Sequence, residues 1–326
     1  MLKKSWAALC ISALFCCCSS KENSGSVAVN SNRVTPPTFQ ADSAFQYILD
    51  QVAFGPRVPE TEAHAACGKY LVTKLKSFGA SVQVQQGVMN NYKGELLPIQ
   101  NIIASYGSEK EDRILLAAHW DSRPFADMEK DNKKTAILGA NDGASGVAVL
   151  MELARNLQLQ NPEIGVDIIL FDAEDYGAPF GESSKVAHDW CLGAQFWARN
   201  PHKPNYKVRH GILLDMVGGK GAIFPQDLNS RNFAQSVFDK VWSDAERIGY
   251  GKYFSDLQIP RVIDDHFYIN NYTKGEIKMI NILGYFPNTK THYHDSWHKL
   301  NDTPNQIDPE QLKAVGQTLL EHVFNP

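Results

Sequence analysis

From residue 44 onward, apolar side chains recur in two rhythms. Segments 44–55 (AFQYILDQVAFG) and 61–79 (TEAHAACGKYLVTKLKSFG) space them by three and four, as a helix with one buried face requires. In the second segment Ala65, Tyr70, Leu71, Leu75 and Phe78 share a side, and Gly79 stands at the stop. Segment 82–90 (VQVQQGVMN) alternates with period two, as a strand does. The runs NIIASYG (101–107), RILLAAHWD (113–121), VDIILFDAED (166–175), HGILLDMVG (210–218) and KMINILGY (278–285) predict further strands, the first two central. Between them, segment 143–160 places Val147, Leu150, Met151, Ala154 and Leu157 on one helical face. Segments 231–249 and 309–324 predict two more amphipathic helices. Strands alternating with helices predict an α/β protein, a three-layer α/β/α sandwich around a central mixed, mostly parallel sheet.

The first residues follow a different pattern. Lys3 and Lys4 precede an apolar stretch from Trp6 to Phe15, which ends in Cys16, Cys17 and Cys18 and a polar run, SSKENSGS. A basic start, an apolar segment of about 10 residues and a small polar exit match a secretory leader, too short to span a bilayer. The cysteines resemble a bacterial lipoprotein signal, in which one of them becomes the lipidated first residue. Leu14 stands three positions before Cys17, whereas Cys18 is followed by serines and a Lys-Glu pair that resemble a surface-export signal. Ordinary cleavage near Ser20 is the alternative. The expected organisation is a leader over 1–18, a flexible tether over 19–38 and a single zinc-dependent catalytic domain over 39–326. The expected location is outside the cytoplasm, periplasmic or associated with an outer membrane, with a lipidated cysteine as the anchor.

Composition narrows the function classes. Hydrophobic residues make up 43% and charged ones 21%, and 32 basic against 36 acidic side chains leave a net charge of −4. No basic block interleaves with aromatics, so nucleic acid is excluded as the expected partner. Cys10, Cys16, Cys17 and Cys18 lie in the leader, leaving Cys67 and Cys191 to pair as an exported disulfide or to stay as buried thiols.

Asp142, Asp175 and His298 each follow an apolar run, in LGANDGASG, VDIILFDAEDYG and YHDSWHKL. Two carboxylates and an imidazole can bind one zinc and leave a fourth position open, the arrangement of a catalytic site. Further ionisable residues close other runs: His119 and Asp121 after ILLAA, Asp172 and Glu174 after IILF, Asp215 after GILL, and Asp264, Asp265 and His266 after QIPRVI. In α/β folds the site is built at the carboxyl ends of the strands. A buried carboxylate there must be solvated, paired or bound to a metal.

HWDS, GANDGASG, FDAED, LLDMVG, DDHFYI and SWH, in that order, resemble the zinc aminopeptidase superfamily and its glutaminyl cyclase branch over about residues 40–325. In the two-zinc peptidases the resemblance implies that Asp142 bridges the metals, with Asp175 and His298 on one and His119 and Asp215 on the other. In the cyclases it implies one zinc per chain, held by Asp142, Asp175 and His298. Asp264 ahead of Asp265 and His266, and Trp297 immediately before His298, favour the cyclase branch. Asp175 departs from the glutamate of animal cyclases and most peptidases.

The cyclase resemblance implies conversion of the N-terminal glutamine of peptides and proteins to pyroglutamate with release of ammonia. Glu174 is the expected proton shuttle, and Asp215 with Asp264 the expected hydrogen-bonded acidic pair. Trp297 and Trp190, the latter matching a lid tryptophan of the family, are expected to wall the substrate, with Phe180 as a competitor for that role. His119 and Asp121 are expected to brace a strand end, Asp265 and His266 to hold their loop, and His292 and His294 to line a loop. A two-zinc aminopeptidase and a non-catalytic, lipid-anchored binding protein are the other functions considered.

Overall fold

The computed structural model describes Met1 and residues 33–326. Cys16, Cys17 and Cys18, with the rest of the expected leader, lie outside the described residues. Val34–Pro326 form one compact unit. The tether expectation ran to residue 38, yet Val34 donates its N–H to the Asn325 side chain and Pro37 accepts from Gln317.

Eight strands and seven α-helices are described: α1 (Ala41–Val52), α2 (Glu62–Ser77), β1 (Ser81–Asn90), β2 (Leu96–Tyr106), β3 (Arg113–His119), α3 (Ala144–Leu159), β4 (Gly165–Phe171), α4 (Leu192–Arg199), β5 (Gly211–Asp215), β6 (Phe224–Asp227), α5 (Leu228–Arg247), β7 (Phe254–Ile259), α6 (Asp265–Tyr272), β8 (Met279–Leu283) and α7 (Pro309–Phe324). Six strands form one sheet in the order β1-β2-β4-β3-β5-β8, and β6 pairs with β7 apart from it. β1, β2 and β4 run antiparallel to their neighbours in turn, while β4, β3, β5 and β8 are parallel. The mixed, mostly parallel sheet is thus as the sequence pattern predicts.

Alternate residues of the central strands face two cores. Ile102, Leu116, Ile168, Leu214 and Ile282 join one that includes Val147, Leu150 and Met151 of α3 and Leu319 of α7. Leu115, Ala117, Ile169, Phe171 and Leu213 face Trp197 of α4 and Ile269 of α6 on the other side. Burial on both faces explains the unbroken apolar runs. In α2 the buried face is His64, Cys67, Gly68, Leu71 and Leu75. Ala65, assigned to that face from spacing, is exposed, because His64 turns inward to stack on Trp120 at 4.1 Å and to meet Asp172 at 2.8 Å.

Cys67 and Cys191 are free and buried, not paired. They belong to the two separate cores.

Candidate metal and substrate site

Three adjacent parallel strands deliver their carboxyl ends to one place. β3 ends at His119, β5 ends at Asp215, and β4 leads through Asp172 and Ala173 to Glu174 and Asp175. Asp142 comes from the loop before α3. There Gly143 packs so closely that a Cβ would lie 2.4 Å from His119 Nε2, so only glycine lets the loop approach.

The Asp175 loop is held by Asp121, whose two oxygens accept the backbone N–H groups of Glu174 and Asp175, each at 3.1 Å. That is the bracing role expected of Asp121. Four non-glycine residues bordering the site, Ala173, Cys191, Met216 and His298, adopt left-handed backbone at φ 51–56°. Each such conformation costs on the order of 1–3 kcal/mol and persists only where its surroundings enforce it.

Two sets of buried side chains have ligand atoms within 4.8 Å of one another: Asp142, Asp175 and His298, and His119, Asp142 and Asp215. Their unpaired atoms fit a cation. Asp175 Oδ2 and Asp215 Oδ1 are buried with no hydrogen-bond partner. His119 Nε2 lies 3.1 Å from Asp142 and 3.3 Å from Asp215, but neither approach has hydrogen-bond direction. His298 Nε2 lies 3.3 Å from Asp175 and 3.8 Å from Asp142. Burial opposes a charged His298 ring, yet Asp175 and Asp127 together push its pKa up to about 9 in the absence of a cation. Buried oxygen and nitrogen donors of this kind suit zinc.

Trp190 and Trp297 are both half-buried and both stack on the cleft's histidine. The Trp297 ring stacks on His298 at 3.9 Å, and Trp190 lies parallel to the same ring at 6.1 Å. Arg123 sits 4.4 Å over Trp190 and donates to the Asp175 carbonyl at 2.9 Å. Together with Glu174, Asp264 and the metal-site acids these tryptophans line a cavity of about 80 Å³. Phe180 does not line it and is largely exposed.

Glu174, Cys191 and Asp264 form a third set. The Cys191 thiol donates to Glu174 Oε1 at 3.0 Å. Burial raises the Glu174 pKa well above the ordinary carboxyl range; His119 opposes this, and Asp175, Asp264 and Asp265 reinforce it.

Two expectations need correction. Asp264 does not close a strand: β7 ends at Ile259, and Asp264 caps α6, accepting the Asp265 N–H at 2.6 Å. The other Asp264 oxygen accepts from the Asn281 amide at 2.5 Å. Asp215 and Asp264 interact through space; burial first, then the Asp215 charge, pushes the Asp264 pKa up to about 6. His266 reaches Asp227 at 3.3 Å, whereas both Asp265 oxygens are buried without a partner, so only His266 ties the loop as expected. His292 stacks on Tyr285 and His294 bonds Ser296, as loop residues.

Sequence reading missed Arg123, Asp127, Asp302 and Tyr293. Asp127 contacts His298 Nδ1 at 3.1 Å, and Asp302 accepts the N–H groups of Asn141 and Asp142. Only Asp302, four residues beyond His298, left a trace in spacing.

The model of peptidase family M28 matches residues 101–323. The chain belongs to this family. Among solved structures, the M28 chain is 49% identical to Bacteroides thetaiotaomicron glutaminyl cyclase bound to N-acetylhistamine, at a TM-score of 0.86, with 90% of this chain and 100% of that one covered. It is 48% identical to a Zn-dependent exopeptidase from Parabacteroides distasonis, with TM-score 0.87 and the same coverage. A glutaminyl-peptide cyclotransferase of Gloydius blomhoffii is 22% identical over 291 residues, 81% of this chain and 75% of that protein. An uncharacterised Escherichia coli protein is 36% identical over 121 residues, a stretch spanning 33% of its length. Likeness to glutaminyl cyclases and membership of M28 support an enzyme of glutaminyl cyclase type, and the zinc-dependent neighbour supports zinc.

Proposed function

We propose that this M28 chain is a zinc-dependent glutaminyl-peptide cyclotransferase, closing the N-terminal glutamine of peptides and proteins into pyroglutamate with loss of ammonia. The observation that carries this reading is the small cavity between Trp190 and Trp297, with Glu174 and Asp264 in its wall beside the Asp142, Asp175 and His298 set. It suits one short uncharged side chain folded back on its own amine.

Asp142, Asp175 and His298 would hold one zinc, which when bound supplies a Lewis acid for the γ-carboxamide oxygen. The remaining work falls to protein groups. Trp190 and Trp297 cover the side chain and exclude water, holding the α-amine near the carbonyl carbon, where intramolecular attack gains most from orientation. The amine nitrogen bonds to that carbon and the carbon–nitrogen bond of the amide breaks. Glu174 takes the proton shed by the attacking amine at its carboxylate and returns it to the departing nitrogen, which leaves as ammonia. A raised pKa suits a group that must both accept and donate. Asp264, fixed by Asn281 and the Asp265 N–H, accepts from the substrate nitrogen, with Asp215 tuning its charge.

Intact ligands for a second cation, His119 and Asp215 with Asp142, favour a two-zinc aminopeptidase as the other reading. The test is incubation with a Gln-initiated dipeptide, with zinc and with a chelator. Zinc-dependent ammonia and a product blocked at its amine support the cyclase; release of a free amino acid, with two zincs per chain, supports the peptidase. We also propose export with a lipidated leader cysteine, to be checked by mass spectrometry of the mature N-terminus.

A further inference from the structure

Asp172 stands two residues before Glu174, fully buried and outside the lining of the small cavity. Both oxygens of its carboxylate are engaged. Oδ1 accepts the Ala173 N–H at 2.9 Å and meets His64 Nε2 at 2.8 Å, and Oδ2 accepts the Gln100 N–H at 2.7 Å. The two backbone donors make this carboxylate an acceptor, so His64 Nε2 carries the proton in their contact. His64 comes from α2, 108 residues away along the chain. Its ring stacks at 4.1 Å on the buried Trp120, whose indole N–H donates to the Gln100 carbonyl at 3.1 Å. Imidazole, indole and strand thus grip one carboxylate.

We propose that His64 is a positioning residue for Glu174, acting through Asp172. The inference rests on the cyclase reading, in which Glu174 moves the proton. The link runs along the backbone. Asp172 holds the N–H of Ala173, whose left-handed φ of 52° an alanine keeps only where its surroundings enforce it. That turn aims the next side chain, Glu174, into the cavity wall. Beyond it, the Ala173 and Glu174 carbonyls accept the N–H groups of Leu192 and Cys191 at 3.0 and 2.9 Å. Asp175 has holders of its own, the Asp121 carboxylate at its N–H and Arg123 at its carbonyl. Loss of the His64 donor therefore disturbs Glu174 more than the metal ligand. Burial pushes the Asp172 pKa up, and His64 is the strongest force holding it down. Without the imidazole the carboxyl tends to protonate, setting a donor where a backbone N–H needs an acceptor.

The test compares His64→Phe, which keeps a ring over Trp120 but loses the donor, with His64→Gln, which can return an N–H to Asp172. Both are made in the full chain, loaded with zinc and given a Gln-initiated dipeptide, following ammonia. Small misplacement of a reacting group can cost up to about 10²-fold, so His64→Phe should lower kcat by about tenfold or more, with KM and bound zinc unchanged. His64→Gln should recover most of that loss. An interaction made only in the transition state moves kcat and kcat/KM equally, whereas a general loosening of the fold also moves KM and zinc content. Thermal melting shows whether His64→Phe folds. If it does not, Asp172→Asn decides: its amide sets an N–H against at least one backbone N–H and should lower kcat in the same way. A native kcat in these variants, equal losses in His64→Phe and His64→Gln, or zinc lost in step with kcat overturns the positioning role and leaves the cyclase standing. Release of a free amino acid by the native chain in place of ammonia overturns the function, and the positioning role with it.

Discussion

The Asp302 carboxylate accepts the backbone N–H of Asp142 at 3.1 Å, and its other oxygen accepts that of Asn141 at 2.9 Å. A side chain from the segment after His298 thereby fixes the loop that carries another candidate ligand. Arg57 secures the same loop from the far side, donating to the carbonyls of Leu138 and Gly139. Outer groups that orient ligands typically matter by 10–100-fold in affinity. Asp302→Ala should therefore weaken zinc binding by about that factor, measured by competition with a chromophoric chelator. Unchanged affinity would show that the loop holds itself.

The same residue gives a pH dependence of defined sign. Burial, then repulsion from Asp142, pushes its pKa up to about 7, against about 3.9 in an unfolded chain. A raised folded pKa means that its contribution to stability is complete below about pH 4 and is lost as pH rises through about 7. With zinc removed, Asp302→Asn should gain on the native chain over that window by at most about 1.4 kcal/mol per pH unit, and stay level above it. Urea unfolding at several pH values measures the difference; a pH-independent gap contradicts the assignment.

Glu174→Gln removes the carboxylate that moves the proton and keeps nearly the same shape. General acid–base catalysis typically contributes about 10²–10⁴-fold, so kcat should fall by that order while bound zinc, measured by elemental analysis, stays the same. A rate close to native would remove Glu174 from the proposed mechanism.

Gly177 lies against Trp190, where an added Cβ would come 2.1 Å from the indole. Gly177→Ala must displace the ring or the loop. The expected outcome is a KM raised several-fold for Gln-initiated peptides, with zinc content unchanged. An unaltered KM would mean that Trp190 does not cover the substrate.

Both thiols should resist modification. Burial pushes the Cys67 pKa up to about 11, opposed by Arg57, and raises Cys191 well above its ordinary value. Since thiolate is the reactive form, a disulfide reagent at pH 8 should label neither until the chain unfolds. Fast labelling of the native enzyme would contradict their burial.

Much of the molecule is local in origin. Unbroken apolar runs marked β3, β4, β5 and β8 because burial on both faces leaves no room for polar alternation, and the acids and histidines that end or follow these strands marked the site's edge. Adjacent parallel strands put the ends of β3, β4 and β5 side by side, which brings Glu174 and Asp175 beside His119 and Asp215, while Asp142 and His298 come in on loops. The partners of those residues were not legible. Asp127, Asp302 and Arg123 act through chain crossings of up to 171 residues, and no spacing rule reports such a meeting. Asp264 was misread as a strand end because capping depends on where β7 stops. Its bond from Asn281, of β8, joins positions 17 residues apart. Which side chains could occupy the site was settled by local residue pattern; which of them touch was settled only when the sheet's order and the loops packed upon it fixed distances that sequence neighbours do not share.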